Sequence, residues 1–274
     1  MALLFGLLGE RLDYSLSPKI HSMIMEKLQI EGCYHLFQVE KDHLEDALRG
    51  MKVLGVGGVN VTIPYKVEVM KYLHEISREA EAIGAINTIS FGEGMAIGYN
   101  TDYYGLQGMF NHYGIPVKDR KVTILGTGGS AKAVVQYLKD HQVKEIILVS
   151  RYKERAQDTY QDLRVLSYRE VGKVRDGDIL INCTPLGMQP LDQVSPVDKE
   201  VAANYPWVID LNYNPLQSLL LKYAKEAGGQ AVNGLYMLVG QAIKSQEIWH
   251  SRTISQHILS EIYRALEHAL GRKT

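Results

Sequence analysis

Cysteine is scarce in this chain of 274 residues, and neither sign of charge predominates. The two cysteines, Cys33 and Cys183, stand apart in apolar runs without CxxC spacing. We therefore expect buried thiols in the reducing cytoplasm, and neither a disulfide nor a metal site. The nine histidines form no HxxxH pattern and no His/Cys cluster, which also argues against a bound metal.

The charge balance and the lack of long apolar runs argue against nucleic acid and membranes as partners of this protein. A formal net charge of −1 gives no electrostatic reason to expect nucleic acid or an anionic membrane. The apolar stretch at residues 2–9 is too short to span a membrane and has no basic residues before it, so we expect a buried strand. We predict a monomer or homodimer whose partner is a small molecule.

Hydrophobic periodicity predicts an α/β protein with two domains. Ser17 is predicted to cap the first helix, with Pro18 at its first position. In the first hundred residues we predict strands at 33–39 and 55–63, a helix at 41–51, two helical stretches within about 66–83, and a hairpin at 85–99. Beyond them we predict helices at 103–113, 235–250 and 254–269, and strands at 122–125, 145–150, 164–167, 179–183 and 207–211. Strands that alternate with helices are typical of a parallel doubly wound sheet.

A glycine-rich loop follows the predicted strand at 122–125. Its sequence is Gly126-Thr127-Gly128-Gly129-Ser130-Ala131, which has the first two glycines of GxGxxG and alanine at the third position. The first glycine allows a tight turn, and the second lets backbone amides approach a pyrophosphate at the start of the next helix. The pattern predicts a dinucleotide site. The alternative is a glycine turn that binds nothing.

The end of the next predicted strand indicates which dinucleotide. An acid there would bond the ribose 2′-hydroxyl of NAD. The chain instead has Ser150-Arg151-Tyr152-Lys153-Glu154-Arg155. Because guanidinium groups match phosphate oxygens, this run favours NADP. The alternative is that these cations are the solvated start of a helix.

The segment Asn60-Val61-Thr62-Ile63-Pro64-Tyr65-Lys66 places polar side chains where a buried strand ends. Sites of α/β proteins lie at such strand ends, where a lysine such as Lys66 can take part in proton transfer. The simpler interpretation is that Lys66 opens the next helix and points into water. Asp102, in Asn100-Thr101-Asp102, is the other candidate for chemistry. Its simpler role is to cap the helix at 103–113.

Eight segments, in order along nearly the whole chain, resemble the shikimate dehydrogenase family. They are Ser15-Leu16-Ser17-Pro18, residues 60–66, Gly84-Ala85-Ile86-Asn87-Thr88, residues 100–102, residues 126–131, Asn182-Cys183-Thr184-Pro185-Leu186-Gly187-Met188, Asp210-Leu211-Asn212-Tyr213 and Gly234-Leu235-Tyr236-Met237-Leu238-Val239-Gly240-Gln241. The resemblance implies reversible, NADPH-dependent reduction of 3-dehydroshikimate to shikimate, on the way to chorismate and the aromatic amino acids. It also implies a substrate domain at 1–101, completed by helices of 236–274, and an NADP-binding Rossmann-type domain at 102–235.

The resemblance also implies roles for individual residues. Lys66 and Asp102 would be the catalytic pair. Ser15 and Ser17 would bind the substrate carboxylate, and the ring hydroxyls or carboxylate would contact Thr62, Asn87, Tyr213 and Gln241. The cofactor would be lined by Gly126, Thr127, Gly128, Gly129, Ser130, Ala131, Thr184, Leu211 and Gly234, and its 2′-phosphate by Ser150, Arg151 and Arg155. One departure is Tyr152, where the family usually has a threonine beside the phosphate-binding arginine; this puts the strength of the NADP preference in question.

Two other functions remain open. An NAD-linked quinate/shikimate dehydrogenase would be expected to have an acid at the strand end where this chain has Ser150. A non-catalytic dinucleotide-binding or regulatory protein would tolerate the loss of Lys66 or Asp102, and this chain has both.

Overall fold

The computed structural model describes residues 3–13 and 15–272, which form two compact units. One unit runs to Gly105 and resumes at Val239–Arg264, and the other is Leu106–Leu238 and continues from Ala265. Each contains a six-stranded sheet. Ala2, Lys273 and Thr274, which the predicted first strand and C-terminal segment included, lie outside the described residues.

The first unit has a mixed sheet with the order β2-β1-β3-β5-β6-β4. Its strands are β1 (Leu3–Gly9), β2 (Gly32–Gln38), β3 (Gly58–Val61), β4 (Glu75–Ile76), β5 (Thr88–Gly92) and β6 (Met95–Tyr99). Its helices are α1 (Ser17–Lys27), α2 (Leu44–Val53), α3 (Arg78–Ile83) and the start of α4 (Thr101–Tyr113), with 3₁₀ helices at Lys41–His43 and Glu68–Tyr72. β1 pairs in parallel with β2 and β3, whereas β5 pairs antiparallel with β3 and β6. The predicted hairpin is therefore confirmed.

Two C-terminal helices follow, α9 (Leu235–His250) and α10 (Gln256–Gly271). From Val239 to Arg264 they group with the first sheet. Trp249 shows why: its ring stacks on Phe5 of β1 with centroids 4.7 Å apart, and its indole nitrogen donates to the Ile89 carbonyl at 3.0 Å. The predicted return of the C-terminal helices to the first domain is confirmed, although Ala265 and the residues after it group with the second unit.

The second unit has a sheet with the order β12-β11-β10-β7-β8-β9, in which every pairing is parallel. The strands are β7 (Lys121–Leu125), β8 (Glu145–Ser150), β9 (Arg164–Ser167), β10 (Ile179–Asn182), β11 (Trp207–Asp210) and β12 (Gln230–Asn233). The helices are α5 (Gly129–Asp140), α6 (Lys153–Thr159), α7 (Lys199–Ala202) and α8 (Leu219–Glu226), with a 3₁₀ helix at Val171–Lys173. Strand order reverses between β7 and β10, and ligands of such sheets bind at that switch point. The predicted doubly wound sheet is confirmed.

Several local predictions are wrong. Cys33 is exposed and Cys183 is half-buried, because β2 is an edge strand of its sheet and Cys183 lies just beyond the end of β10. Helix α1 begins with Ser17 already inside it, so Leu16 occupies the capping position. The two helical stretches predicted within 66–83 are present, but the short strand β4 between them was not predicted, and neither was β12.

Within the described residues, no helix is both long and apolar enough to cross a membrane. The same part of the chain has no group of three or more His, Cys, Asp or Glu side chains that could hold a metal ion.

Candidate active site

Lys66 follows β3 at the end of a tightly held turn. Its neighbour Tyr65 is fully buried and donates its hydroxyl to the Val39 carbonyl at 2.6 Å. The backbone N–H of Ile86 donates to the Lys66 carbonyl at 2.7 Å. The backbone of Lys66 is thus fixed on both sides, and its long side chain starts from a defined point.

The Lys66 side chain forms an ion pair with Asp102. Its Nζ lies 2.5 Å from Asp102 Oδ2, and the two side chains are only 12% and 8% exposed. The interpretation that Lys66 points into water is therefore wrong. Asp102 lies in the first turn of α4, where the helix dipole favours a carboxylate. The helix begins at Thr101, so Asp102 lies inside it and does not cap it.

Asn87 holds the other oxygen of Asp102. Its Nδ2 donates to Asp102 Oδ1 at 2.8 Å, and its Oδ1 accepts from the backbone N–H of Thr101 at 2.6 Å. The second contact satisfies one of the free N–H groups at the start of α4. One amide therefore fixes both the helix start and the Asp102 carboxylate, which leaves Oδ2 facing Lys66.

Asn60 connects Asn87, and through it the Lys66–Asp102 pair, to the interior of the first unit. Its Oδ1 accepts from the Tyr34 hydroxyl at 2.8 Å, and its Nδ2 donates to Thr88 Oγ1 at 2.9 Å and Ser245 Oγ at 2.8 Å. Thr88 Oγ1 in turn donates to Asn87 Oδ1 at 3.1 Å. A continuous buried chain of hydrogen bonds thus runs from Tyr34 to the Lys66–Asp102 pair.

Helix α9 supplies two further side chains, Gln241 and Ser245, to this hydrogen-bond network. Gln241 Oε1 accepts from Thr101 Oγ1 at 3.4 Å and from Asn87 Nδ2 at 3.5 Å. Ser245, one turn later, donates to the Gln241 carbonyl at 2.9 Å and lies 3.2 Å from Thr101 Oγ1. The fold therefore brings Gln241 to Asn87, the residue with which the family resemblance gives it a shared role.

A neutral histidine lies behind the site. His21 is fully buried, stacks on Tyr34 with ring centroids 4.1 Å apart, and contacts Gln246 Nε2 through Nδ1 at 2.9 Å. Burial lowers the pKa of His21 to about 3. It therefore stays uncharged at neutral pH and adds no charge next to Tyr34.

Ser15 and Ser17 lie together at the start of α1. Ser15 Oγ accepts from the backbone N–H of Ser17 at 3.2 Å. Ser17 is buried, and Ser15 and Thr62 are half-buried. This hydrogen bond therefore holds Ser15 through its hydroxyl oxygen and Ser17 through its backbone N–H.

In the second unit, the glycine loop has the predicted strand-turn-helix form. Gly126 has φ +102°, a conformation that favours glycine, and its N–H donates to the Val149 carbonyl at 2.9 Å. A Cβ on Gly126 would lie 3.0 Å from Thr184 Cγ2. The loop, Thr184 and the N-terminus of α5 therefore meet at the switch point between β7 and β10, and this arrangement fits a dinucleotide pyrophosphate.

Leu211 and Gly234 also lie against each other. A Cβ built on Gly234 would collide with the Leu211 carbonyl, so only glycine allows this approach of the two loops. They follow β11 and β12 at the same edge of the sheet.

Asp210 ties the loops after β10 and β11 together. Its carboxylate accepts from Ser218 Oγ at 2.5 Å, Asn182 Nδ2 at 2.9 Å and the N–H of Asn212 at 3.1 Å. Burial nevertheless raises the pKa of Asp210 to about 6. These donors only partly offset the cost of placing a charge in the interior.

Arg151 follows β8 and lines an open groove of about 590 Å³ with Ser150. Arg155 is exposed on α6 and is not part of the groove wall. Tyr152, the departure from the usual threonine, is 66% exposed, and the Arg151 guanidinium lies 5.9 Å from its ring centroid.

Comparison with known proteins identifies the family. Residues 7–89 match the model described as shikimate dehydrogenase substrate binding domain, and residues 111–211 match shikimate / quinate 5-dehydrogenase. A shikimate dehydrogenase (NADP(+)) from Clostridium beijerinckii is 45% identical over 96% of this chain and 97% of that protein. The chain belongs to the shikimate dehydrogenase family.

Solved structures agree with this assignment to the shikimate dehydrogenase family. A chorismate mutase/shikimate 5-dehydrogenase fusion protein from Clostridium acetobutylicum has a TM-score of 0.96 and 47% identity, with 99% of each chain covered. Shikimate 5-dehydrogenase from Thermus thermophilus, in complex with NADP(H) and shikimate, has a TM-score of 0.86 and 30% identity, covering 96% of this chain and 99% of that one. The resemblance found in the sequence motifs is thus confirmed.

The structure adds Ser245 and Tyr34, which the sequence motifs did not select. Ser245 also lies beyond both regions that match the family models. Ser245 could have been found from its i, i+4 spacing to Gln241 on one helix face. Tyr34 gave no signal, because a tyrosine within an apolar strand is most often a core residue.

Proposed function

We propose that this protein is an NADP-dependent shikimate dehydrogenase that catalyses the reversible reduction of 3-dehydroshikimate to shikimate. The observation that carries the proposal is the Lys66–Asp102 pair, buried and oriented by Asn87. In the direction of chorismate and aromatic amino acid biosynthesis, 3-dehydroshikimate, NADPH and one proton become shikimate and NADP⁺. NADP, when bound, would accept or supply the hydride. The side chains of the protein transfer the proton and stabilise the negative charge that develops on the reacting oxygen.

Lys66 acts on the reacting oxygen. Its ammonium group donates a hydrogen bond to that oxygen, stabilises the developing alkoxide and transfers the proton. Asp102 holds the ammonium group through Oδ2, while Asn87 keeps Oδ1 occupied. The carboxylate thus cannot rotate away from Lys66 without losing the Asn87 hydrogen bond.

Polar side chains of the first unit bind the substrate. Ser15 and Ser17 take the carboxylate, and Thr62, Asn87 and Gln241 take hydroxyl groups. Support for this comes from the position of Gln241 beside Asn87 and of the two serines on one turn. Tyr213 is proposed as a further substrate contact on the family resemblance alone.

The second unit binds NADP through residues 126–131, Thr184, Leu211 and Gly234, with Ser150, Arg151 and Arg155 at the 2′-phosphate. Support comes from the convergence of these loops at one edge of a parallel sheet and from the relatives named as NADP(+) enzymes. A cytoplasmic location, small-molecule partners alone, and a monomeric or homodimeric state belong to the same proposal.

A steady-state assay tests the function. Purified protein is given shikimate or quinate with NADP or NAD, and kcat/KM is measured for the four combinations. We expect the highest value for shikimate with NADP. A preference for NAD would establish the NAD-linked shikimate/quinate enzyme instead. Absence of turnover with all four, while NADP binding persists, would establish a non-catalytic dinucleotide-binding protein.

A further inference from the structure

β2 is a long strand at the edge of the first sheet. It has seven residues and pairs with β1 along all of them. On its other side no strand of the described residues lies next to it. The other edge strands of the two sheets, β4, β9 and β12, have only two to four residues. Short edge strands are one means by which proteins avoid pairing with other chains, and β2 does not use it.

Hydrogen bonds at both ends of β2 show which of its residues face away from the sheet. The N–H of Leu3 donates to the Glu31 carbonyl at 3.0 Å, and the N–H of Val39 donates to the Gly9 carbonyl at 2.9 Å. The backbone groups of residues 31 and 39 thus point toward β1, and in a parallel pair every second residue between them does the same. The N–H and C=O groups of residues 32, 34, 36 and 38 therefore point outward, where the described part of the chain pairs no strand with them.

The side chains of β2 do not block a partner strand. Lysine, proline and inward-pointing charges are the usual protection of an edge. β2 has no proline, lysine, arginine, aspartate or glutamate, since its sequence is Gly32-Cys33-Tyr34-His35-Leu36-Phe37-Gln38. Cys33 and His35 are exposed, and the His35 ring lies against that of half-buried Phe37, with centroids 5.0 Å apart. The edge is therefore open, and it carries aromatic surface that a partner can cover.

We propose that β2 pairs antiparallel with β2 of a second copy of this chain, about a two-fold axis at His35. With this axis, Tyr34 lies opposite Leu36 of the second copy and Gly32 lies opposite its Gln38. Each such pair exchanges both of its N–H···O=C bonds, so every outward backbone group of the strand has a partner. An axis at Tyr34 or Leu36 would leave one end of β2 beyond the end of the other strand.

Charge and side-chain contacts also suit a second copy. Glu31, the acid that precedes β2, lies opposite uncharged Val39 of the second copy, so no like charges meet there. Cys33 lies opposite Phe37 and covers part of its ring. The two sheets then form one continuous sheet through the axis. This narrows the monomeric or homodimeric state of the proposed function to a homodimer, and it does not depend on the reaction that the protein catalyses.

The molar mass of the full-length protein gives the first test. Sedimentation equilibrium over a range of protein concentrations should show a species of twice the 30.8 kDa of the chain. A protein that stays monomeric at all concentrations would overturn the proposal. Failure of the proposed function is seen separately, in the assay with shikimate and NADP.

A disulfide at the axis tests the register. In an antiparallel pair that is not hydrogen-bonded, opposite Cα atoms lie about 4.5 Å apart, within the range of roughly 4.4–6.8 Å that a disulfide spans. His35→Cys, in a Cys33→Ser background, should therefore cross-link two chains when diamide is added as oxidant. Gln38→Cys in the same background is the matched control, because its two thiols lie at opposite ends of the paired strands, roughly 20 Å apart at 3.4 Å per residue. A dimer that cross-links equally well in both variants, or in neither, would contradict this axis.

A charge at the axis tests the same contact by repulsion. His35→Glu places two carboxylates opposite each other and should raise the dissociation constant of the dimer by roughly 10- to 100-fold. Gln38→Glu places a carboxylate opposite glycine and should leave the constant within about twofold of wild type. Circular dichroism checks that both variants fold, and the cross-link decides the question if His35→Glu does not. Equal effects of the two substitutions would mean that His35 does not lie at the interface.

Discussion

Each oxygen of the Asp102 carboxylate has its own donor, and this division is the main residue-scale feature of the protein. Oδ1 is held by Asn87 and Oδ2 by Lys66. With both side chains largely removed from water, neither charge can be left unpaired without a large penalty. The pair is therefore held as a unit, and removing one partner disturbs the other.

Lys66→Ala should reduce kcat for shikimate oxidation by roughly 10²- to 10⁴-fold, the usual contribution of a positioned proton-transfer group. NADP binding should stay near wild type, because the glycine loop is untouched. Steady-state rates give kcat, and a titration with NADP gives its dissociation constant. Lys71→Ala is the control, since that side chain is 56% exposed and forms its ion pair with Glu68, away from Asp102.

Asp102→Asn combined with Lys66→Ala should lose less activity than the product of the two single losses, because the two residues act together. Fully multiplicative losses would mean that they act separately. A Lys66→Ala enzyme with normal kcat would remove the lysine from the mechanism.

At the scale of elements, α9 is built into the network by Ser245. Ser245 and Ser260 both donate to the carbonyl four residues earlier, at 2.9 and 3.0 Å. Ser245 is fully buried and also accepts from Asn60, whereas Ser260 has an exposed hydrogen bond. The two serines thus differ in burial and in their additional partners, but not in their local helix contact.

Ser245→Ala should lower the free energy of unfolding by about 1–3 kcal/mol, because a buried donor of Asn60 loses one of its acceptors. Ser260→Ala should change it by less than about 0.5 kcal/mol. Urea denaturation of both variants measures the difference. Equal effects would mean that the buried network contributes nothing beyond the helix.

The loops after β10 and β11 depend on Asp210, whose pKa in the folded protein is about 6 against an ordinary value of 3.8. The folded state therefore binds this proton more tightly than the unfolded state. Its contribution to stability is complete below pH 3.8 and is lost as the pH rises through 6. The loss amounts to ~3 kcal/mol for a shift of this size.

Asp210→Asn removes this titration. The stability of the variant relative to wild type should therefore rise by up to ~3 kcal/mol between pH 4 and pH 7. Urea denaturation across that range measures it, with Asp158→Asn, an exposed aspartate on α6, as the control. A difference that does not vary with pH would show that Asp210 does not titrate in this range.

The elements that the sequence predicted well are those with strong local patterns. β8, β9 and α9 lie where periodicity placed them. β4 has two residues and exists through its pairing with β6, and β12 begins with an exposed glutamine and depends on β11. Neither carries a local signal, because pairing between distant segments defines both.

At the scale of the whole molecule, the two sheets have separate tasks. The side chains that surround the Lys66–Asp102 pair belong to the first unit, and the glycine loop and Arg151 belong to the second. The order of the motifs along the sequence predicted which residues surround the Lys66–Asp102 pair and which belong to the dinucleotide-binding loop. It could not predict that Asn60, Tyr34 and Ser245 connect the site to the core, because hydrogen bonds between such distant residues follow from the fold.

Ser17→Ala should raise the KM for shikimate more than it lowers kcat, as expected when uniform binding is lost. The dissociation constant of NADP should not change, because Ser17 lies in the first unit. Kinetics with varied shikimate and a direct NADP titration test both statements. Ser22→Ala, an exposed serine on the same helix, is the control. A loss of kcat at unchanged KM would contradict a binding role.

The hydrogen bond between Asn60 and Ser245 spans 185 residues, and this distance affects how the protein is made. A ribosome adds about 5–20 residues per second, so Asn60 is synthesised some ten seconds or more before its partner exists. The strands of the first sheet, which end at Tyr99, and those of the second, which end at Asn233, are all synthesised before Ser245. Asn60 can bond Tyr34 and Thr88 during that interval, but its contact with α9 forms only when the chain is nearly complete, so the active site is among the last parts of the nascent chain to be finished.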